Sequence, residues 1–218
     1  FYASHIITGA GFGGIVCFND YKIYKKAKLL RGWGRSSSLF NESEEIKKRF
    51  NVKVDGIQYD SKYIFNDIGY NFLPSEISAA FALEQLKKLK LIVNKRIKNF
   101  EFIKNYLKKY KEYFKLPEQL NSVKTGWLAF PLVIKKSSGI KRKKLQIYLE
   151  KRGIQTRTIF TGNILRQPIM KKRKYKLQKN TSKISDEVME NGLLIGCHHG
   201  LKKEEINYML KIFDNFLK

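Results

Sequence analysis

The sequence predicts an α/β fold, and three observations support that prediction. Residues 1–19 hold two apolar runs on either side of a glycine-rich turn, the pattern of strand, turn and strand. Residues 75–116 contain neither glycine nor proline and repeat apolar side chains at helical spacing. From about residue 115 onward, short apolar runs alternate with amphipathic segments, which is typical of a small αβ layer unit.

The first helix has clear signals for its start and its end. Asp20 is expected to cap a helix that runs to about Leu30, and Gly32 and Gly34 are expected to end it. Residues 35–68 are polar and irregular, so we expect a surface loop with about one helical turn. Aromatic side chains predict that the end of this loop is packed: Tyr59, Tyr63, Phe65, Tyr70 and Phe72.

The long glycine-free segment is the largest predicted element. One helix over residues 75–116 would be about 60 Å long, so we expect a kink or break near residues 91–94. Such an element can join two domains or form a helical hairpin, and both remain open. The segment 162–183 is expected to be irregular and basic. Further strands are predicted over 125–134, 154–160 and 192–196, and further helices over 140–152, 185–191 and 202–217.

Composition narrows the classes of protein. The 218 residues include 15 Phe and 12 Tyr, enough for a packed core, and no run of eighteen apolar residues predicts a membrane span. Cys17 and Cys197 make no disulfide framework, which favours a reduced, cytoplasmic setting. Phe1 is not an initiator methionine and no apolar leader follows, so we expect the chain to be part of a longer protein.

The net charge of +25, from 44 Lys+Arg against 19 Asp+Glu, raises the question of an anionic partner. The lysines are scattered through nearly every segment, which argues against nucleic acid as the main partner. A phosphate-bearing small substrate fits the charge equally well. A non-catalytic basic binding module remains an alternative.

His5 is the first candidate site residue, because it lies just before the glycines at positions 9, 11, 13 and 14. A half-buried structural histidine is the alternative interpretation. The tandem pair His198 and His199 has no acidic cluster nearby, so no metal site is predicted. The sequence also lacks the Gly-x-Ser-x-Gly elbow of hydrolases and the Gly-Lys-Ser/Thr of phosphate loops.

The motifs in their order resemble the DegT/StrS family of pyridoxal-phosphate sugar aminotransferases and dehydratases, and the likeness covers nearly the whole chain. The segments that carry it are Phe-Tyr-Ala-Ser-His-Ile-Ile-Thr at 1–8, Gly-Gly-Ile-Val at 13–16, Leu-Leu-Arg-Gly-Trp-Gly-Arg at 29–35, Gly-Tyr-Asn at 69–71, Gly-Asn-Ile-Leu-Arg-Gln-Pro at 162–168 and Gly-Cys-His-His-Gly-Leu at 196–201.

The resemblance is closest to the histidine-bearing branch, which removes the C3 hydroxyl of nucleotide-linked 4-keto-6-deoxy sugars. In the aminotransferases, the position of His5 is the lysine that holds the cofactor. The resemblance therefore implies His5 as the catalytic base and Asn71 as a contact to the phosphate of pyridoxal or pyridoxamine phosphate. It also implies that Arg157, Asn163 and Arg166 bind the sugar nucleotide. A sugar aminotransferase that has lost its lysine remains an alternative.

The resemblance also implies the domain layout and the assembly. It predicts the C-terminal portion of a fold-type-I, aspartate-aminotransferase-like large domain (1–74), a long connecting helix or helices (75–114) and a small αβ domain (115–218). It further implies a homodimer that acts in the synthesis of surface lipopolysaccharide. The loop after residue 35 begins with three serines and has no cysteine, which disfavours the iron–sulfur cluster of one dehydratase subgroup. Because the family's remaining cofactor contacts precede the histidine, this chain alone is expected to be nearly inactive.

Overall fold

The computed structural model describes residues 1–2, 4–40, 44–177 and 182–218. Residues 3, 41–43 and 178–181 fall in the predicted first strand, the predicted loop and the predicted basic segment, and lie outside the described residues. The chain divides into two compact units, residues 1–86 and 87–218, and the division falls within one long helix. Among the helices so described, none is long and apolar enough to cross a membrane.

The first unit is built from short elements before the long helix. They are α1 (Tyr21–Arg31), α2 (Ile46–Phe50), β1 (Val52–Val54), β2 (Ile57–Tyr59) and the start of α3 (Glu76–Leu107), with 3₁₀ turns at Ser36–Leu39 and Ser61–Tyr63. The predicted cap of α1 is confirmed, because the Asp20 carboxylate accepts hydrogen bonds from the amides of Lys22 and Ile23. Gly32 ends this helix, as predicted.

The strand–turn–strand prediction for residues 1–19 is wrong, since none of the described residues there lies in a strand. Ile15 and Val16 are 73% and 76% exposed. A strand needs a neighbour for its backbone groups, and the only strands described in this unit, β1 and β2, pair with each other. Residues 1–19 thus have the apolar pattern of a strand, but the described part of this unit offers no strand for them to pair with.

The loop prediction for residues 35–68 is partly wrong. The segment contains α2 and an antiparallel hairpin, which turns at Asp55 and Gly56 with φ of 49° and 85°. Both positive values are typical of a type I′ hairpin turn, for which Asp-Gly is a strong sequence signal. The predicted packing of the five aromatic side chains is also wrong, because they are 50–68% exposed.

The second unit has a four-stranded antiparallel sheet. Its strands are β3 (Phe114–Lys115), β4 (Phe130–Ile134), β5 (Thr156–Arg157) and β6 (Gly192–Ile195), in the spatial order β3-β4-β6-β5. Its helices, besides the second part of α3, are α4 (Arg142–Glu150), α5 (Ser182–Asn191) and α6 (Lys203–Leu217). The strand pair β4 and β6 forms the centre, and alternate side chains of β4 are fully buried.

The core of this unit joins the sheet to α3, α4 and α6. Its largest fully buried side chains are Phe100, Ile103, Leu107, Phe114, Phe130, Leu132, Ile134, Leu145, Leu149, Leu193, Ile195 and Phe213. The Phe100 ring stacks on Trp127 with 3.8 Å between ring centroids. The sequence of the last helix predicts an apolar face of Ile206, Met209, Leu210, Phe213 and Leu217; the first four are buried and Leu217 is partly buried.

Two predictions for the long segment are wrong. The helix α3 runs unbroken through residues 91–94, and it ends at Leu107 instead of continuing to residue 116. A 3₁₀ turn at Lys108–Tyr110 then leads into the edge strand β3. The amide of Lys135 donates to the carbonyl of Tyr113 beside β3, so strand pairing with β4 ended the helix, although the local sequence carries no glycine or proline.

Candidate active site

His5 lies in a compact turn at the start of the chain. Its amide donates to the carbonyl of Tyr2 at 3.0 Å, and the two rings meet edge to face, 6.2 Å apart. The imidazole belongs to an exposed residue. Because the backbone turn fixes its Cα while the ring faces solvent, His5 is available for proton transfer to a bound group.

The glycine turn after His5 is held by the chain's own backbone. The Gly9 amide donates to the carbonyl of Phe1 at 2.9 Å, and the Phe12 amide donates to the carbonyl of Gly9 at 3.1 Å. A Cβ at Gly9 would lie 2.6 Å from the Phe12 carbonyl oxygen and 3.3 Å from the Ser78 carbonyl oxygen. Only glycine therefore fits where this turn passes the first turn of α3.

The two central motifs of the sequence form one interlocked structure, which we call the motif crossing: residues 29–36 against 64–72. Trp33 donates its amide to the carbonyl of Tyr70 at 2.9 Å, and Tyr70 donates to Leu30 at 2.7 Å. Phe72 donates to Arg31 at 3.0 Å. These bonds satisfy the last two carbonyls of α1, which have no partner within the helix, and the Trp33 amide just beyond it.

The motif crossing requires glycine at two positions, 34 and 69, because the backbones approach too closely there for a Cβ. A Cβ on Gly34 would lie 1.9 Å from the Asp67 carbonyl oxygen, and a Cβ on Gly69 would lie 2.1 Å from the Gly34 amide nitrogen. Gly34 also has a φ of +74°. Both residues therefore permit a backbone approach that no side chain allows.

The motif crossing presents Asn71. Its backbone forms an antiparallel bridge with Gly32, while the residue itself is exposed. The neighbouring rings of Tyr70 and Phe72 stack on each other with 5.0 Å between centroids. A fixed backbone with an exposed amide suits a side chain that binds a ligand or a partner. Neither a hydrogen bond nor a ring contact joins Asn71 to His5 within the described part of the chain.

Arg35 at the end of the same motif lies among aromatic rings. Its guanidinium carbon is 4.8 Å from the Trp33 ring centroid, 5.3 Å from that of Phe65 and 5.8 Å from that of Tyr63. The Nε atom is buried and lacks a hydrogen-bond partner among the described residues. Sequence reasoning gave Arg35 no role of its own, although the aromatic residues around it were visible as a cluster.

In the second unit, Asn163 and Arg166 converge on one carboxylate. Asn163 is 3% exposed and donates its side-chain amide to Asp186 Oδ1 at 2.7 Å. Arg166 pairs with both oxygens of Asp186, at 3.0 and 2.7 Å. Sequence reasoning missed Asp186, because a partner twenty residues away leaves no local signal.

This clamp joins the segment after β5 to helix α5. The Arg166 and Asn163 hydrogen bonds lower the pKa of the Asp186 carboxyl to about 2. Gly162 has a φ of +63°, and a Cβ there would lie 2.5 Å from the Met189 side chain of α5. The Arg166–Asp186 ion pair and the close approach at Gly162 thus hold residues 162–166 against α5.

Arg157 stands apart from this clamp. It is exposed, and its Nη1 donates to the carbonyl of the preceding Thr156, its one hydrogen bond to the described residues. Thr156 is itself fixed by the Glu150 carboxylate, which accepts from its amide at 2.6 Å and its hydroxyl at 2.8 Å. The Arg157 guanidinium therefore projects from a rigid strand and keeps donors for an anionic ligand.

The histidine pair near the end of the chain lies beside a buried arginine. Arg96 is 4% exposed and donates to the carbonyls of Trp127 and Leu128 at 3.2 and 3.0 Å. Partial burial, with repulsion from Arg96, lowers the pKa of both His198 and His199. These imidazoles therefore favour their neutral form. Asn99 fixes the loop by donating to the His198 carbonyl at 2.8 Å.

The residues of the first unit fit part of a pyridoxal-phosphate site, the cofactor implied by the resemblance. His5 offers a base and Asn71 an amide donor, and both side chains are exposed. Open space adjoins the glycine turn, since a Cβ at Gly11 or Gly14 would meet nothing within 4 Å. Backbone amides that a ligand can approach closely are typical of phosphate sites.

Comparison with known proteins gives a consistent result. The model of the DegT/DnrJ/EryC1/StrS aminotransferase family matches residues 1–214. The lipopolysaccharide biosynthesis protein RfbH of Salmonella typhimurium is 32% identical in an alignment of 219 positions that covers 99% of this chain and 50% of that protein. The GDP-4-keto-6-deoxy-D-mannose 3-dehydratase of Escherichia coli is 33% identical over 213 residues, or 97% and 52%.

The chain spans about half the length of these curated relatives. The solved structure of Escherichia coli GDP-4-keto-6-deoxy-D-mannose-3-dehydratase with bound hydrated PLP matches it with a TM-score of 0.79 and 32% identity. That match covers 96% of this chain and 51% of the other. The α/β, fold-type-I class expected from the sequence is confirmed, and the chain belongs to the DegT/DnrJ/EryC1/StrS aminotransferase family.

Proposed function

We propose that this chain is part of a nucleotide-sugar 3-dehydratase that uses pyridoxal or pyridoxamine phosphate and acts on 4-keto-6-deoxy sugars for surface polysaccharide. The observation that carries the proposal is His5, an exposed imidazole at the position where the family's aminotransferases have lysine. The similarity to RfbH and to a 3-dehydratase, each over nearly the whole chain, supports it.

His5 is the proposed catalytic base. An imidazole exchanges protons near neutral pH but forms no lasting covalent bond to an aldehyde. Replacing lysine with histidine therefore keeps proton transfer and removes the covalent anchor. A nitrogen of the His5 ring takes a proton beside the bound cofactor, and the protonated ring then assists departure of the C3 hydroxyl as water.

The cofactor supplies what side chains lack. When bound, pyridoxamine phosphate would provide an amine for the sugar C4 ketone, a ring that withdraws electrons, and, by its conversion to pyridoxal phosphate, the two electrons that balance the loss of the C3 oxygen. Asn71 is proposed to donate its side-chain amide to the cofactor phosphate of the neighbouring subunit. The motif crossing contributes by fixing the Asn71 backbone.

The three residues proposed for substrate binding have different surroundings. Arg157 is exposed and is proposed to bind a phosphate of the sugar nucleotide directly. Arg166 is proposed to bind a second anionic oxygen while one donor remains on Asp186. Asn163 is almost fully buried, so it is proposed to act by holding Arg166 and its loop in place.

The proposed layout assigns residues 1–74 to the cofactor domain, 75–114 to the connecting helix and 115–218 to the small domain. A homodimer is proposed because the first unit exposes large apolar side chains: Phe12 72%, Ile15 73%, Val16 76%, Ile68 88%, Phe72 68% and Ile77 80%. Exposed apolar surface of this extent is typical of interfaces. A cytoplasmic setting is proposed because Cys17 and Cys197 are free thiols.

The experiment is product analysis with the protein encoded by the complete reading frame. GDP-, dTDP- and UDP-linked 4-keto-6-deoxy sugars are each incubated with pyridoxamine phosphate and ¹⁵N-glutamate, and the products are analysed by mass spectrometry. We expect a 4-keto product with one oxygen atom fewer, at C3, and no ¹⁵N in the sugar. His5→Asn should abolish it, whereas Lys53→Gln, an exposed change in the same unit, should leave it unchanged.

The outcomes separate the two enzymatic alternatives. A product that retains the C3 oxygen and carries ¹⁵N at C4 would assign the chain to the aminotransferases and overturn the proposal. Turnover in His5→Asn equal to the wild type would overturn the assignment of the base. Loss of the product in both variants would show that the effect is not specific to His5.

A further inference from the structure

A cluster of lysines lies on the second unit, among residues that the proposed reaction does not use. It surrounds a cavity of about 430 Å³, within the range of small-molecule sites. Its lining residues come from the edge strand β3, the connection between β4 and α4, and the first part of α5: Lys115, Lys135, Lys136, Ser137, Lys183 and Glu187. We call this the lysine cavity.

The lysine cavity has more positive than negative charge. Glu187 pairs with Lys115 at 2.6 Å, and Glu190 on the next turn of α5 pairs with Lys136 at 3.2 Å. Lys135 and Lys183 have no carboxylate within salt-bridge distance in the described part of the chain. Four lysines line the cavity and two carboxylates, Glu187 and Glu190, pair with two of them, so the net charge of the cluster is positive and favours an anion.

The surroundings favour a compact, multiply charged anion. Lys183 lies in the first turn of α5, whose N-terminal end adds partial positive charge. Lysine is a flexible point charge that follows a chain of phosphates, and Ser137 adds a hydroxyl donor. Among the residues that the structure describes, no aromatic side chain lines the cavity, so the described lining offers no ring to stack on a base.

We infer that the lysine cavity binds a phosphate chain of two or more phosphoryl groups, held by Lys135 and Lys183 with Lys115 and Lys136 at the sides. Both free polyphosphate and the phosphate chain of a nucleoside triphosphate offer this chemistry. The inference does not rest on the proposed dehydration, because none of the lining residues is assigned to that reaction.

The test is titration calorimetry of the protein encoded by the complete reading frame with inorganic tripolyphosphate, ATP and orthophosphate in about 100 mM salt. We expect tripolyphosphate and ATP to bind at one site and orthophosphate to bind at least about tenfold more weakly. Equal affinities for the first two would indicate that the phosphate chain alone is recognised. Tighter binding of ATP would indicate the nucleotide as the source.

Paired variants separate the cavity from general charge. The double change Lys135→Gln and Lys183→Gln should weaken tripolyphosphate binding by roughly tenfold or more. The control is Lys143→Gln with Lys211→Gln, which removes the same charge from exposed lysines outside the cavity. Glu187→Gln should tighten binding, because it removes the carboxylate found among the described lining residues.

Three results would overturn the inference. The first is equal weakening by the two double variants, which would mean that only the net charge of +25 attracts anions. The second is unchanged affinity in the cavity variant while its circular dichroism matches the wild type. The third is tighter binding of a single-stranded oligonucleotide than of tripolyphosphate through the same lysines, which would assign the surface to nucleic acid.

Discussion

The motif crossing makes Gly34→Ala the most informative single substitution in the first unit. The added Cβ would lie 1.9 Å from the Asp67 carbonyl oxygen, whereas ordinary contacts begin at 3.4 Å. The two chain segments would have to separate by about 1.5 Å, the difference between these distances. The residue also has a φ of +74°, which costs a non-glycine residue about 1–2 kcal/mol.

The separation would break the backbone hydrogen bonds at this point. Asn66 donates to the Gly34 carbonyl at 2.9 Å, and Trp33 donates to the Tyr70 carbonyl at 2.9 Å. At about 1 kcal/mol each, their loss and the conformational cost give about 3–4 kcal/mol. That corresponds to more than about a 100-fold rise in the opening equilibrium of residues 29–36 and 64–72.

Hydrogen exchange followed by mass spectrometry measures this opening peptide by peptide. Two other glycine-to-alanine changes in the same unit serve as controls. Gly56 has a φ of +85°, and a Cβ there would meet nothing within 4 Å. Gly56→Ala should therefore show only the conformational cost, about 1–2 kcal/mol. Gly14→Ala lacks both a positive φ and a close neighbour, and should leave exchange unchanged. If Gly34→Ala raises exchange no more than Gly56→Ala, the steric reasoning about the motif crossing is refuted.

Two further predictions concern the second unit. Phe100→Ala should lower the free energy of unfolding, measured in urea, by about 3–5 kcal/mol, because the ring is 1% exposed and stacks on Trp127. The control is Phe102→Ala, which should lower it by less than about 1 kcal/mol because Phe102 is 40% exposed. Equal losses in the two variants would contradict this prediction. For the clamp, Arg166→Gln should raise the pKa of Asp186 from about 2 toward the ordinary 3.8 in an NMR titration. Because that pKa is lowered in the folded chain, the clamp stabilises the fold above about pH 4, and this stabilisation is lost as the pH falls toward 2. An unchanged Asp186 pKa in the variant would contradict the proposed pairing of Arg166 with Asp186.

Elements with local signals were predictable from the sequence. Helix α1 follows the Asp20 cap, and helix α4 ends at Glu150, near the predicted end at residue 152 and shortly before Gly153, whose φ is +74°. Helix α6 buries four of the five apolar residues expected of it, and the fifth, Leu217, is partly buried. Each of these features depends on residues within a few positions of one another, so the sequence pattern contains the physical cause.

The errors concern structure that depends on distant partners. The apolar residues 13–19 form no strand, because no described strand of the first unit lies beside them. Strand β3 ended the long helix early through pairing with β4, which lies about twenty residues further on. The hairpin at Asp55 and Gly56 is different, since its Asp-Gly signal was present in the sequence and was overlooked.

The candidate site shows the same division between local and distant causes. Motifs identified His5, Asn71 and Arg157, and all three are exposed in the structure. Motifs did not show that Asn163 is buried against Asp186, because that contact joins residues 23 positions apart. The sequence thus proposed the candidate groups, and the structure describes which of them are exposed and which already have partners within the chain.

The central claim is that His5 takes the place of the cofactor lysine. The direct measurement is incubation of the complete-reading-frame protein with pyridoxal phosphate, reduction with borohydride and peptide mapping for covalently attached cofactor. We expect no stoichiometric attachment in the wild type and stoichiometric attachment at residue 5 in His5→Lys. Stoichiometric attachment to a single lysine of the wild-type protein, or none at residue 5 in the variant, would contradict the claim.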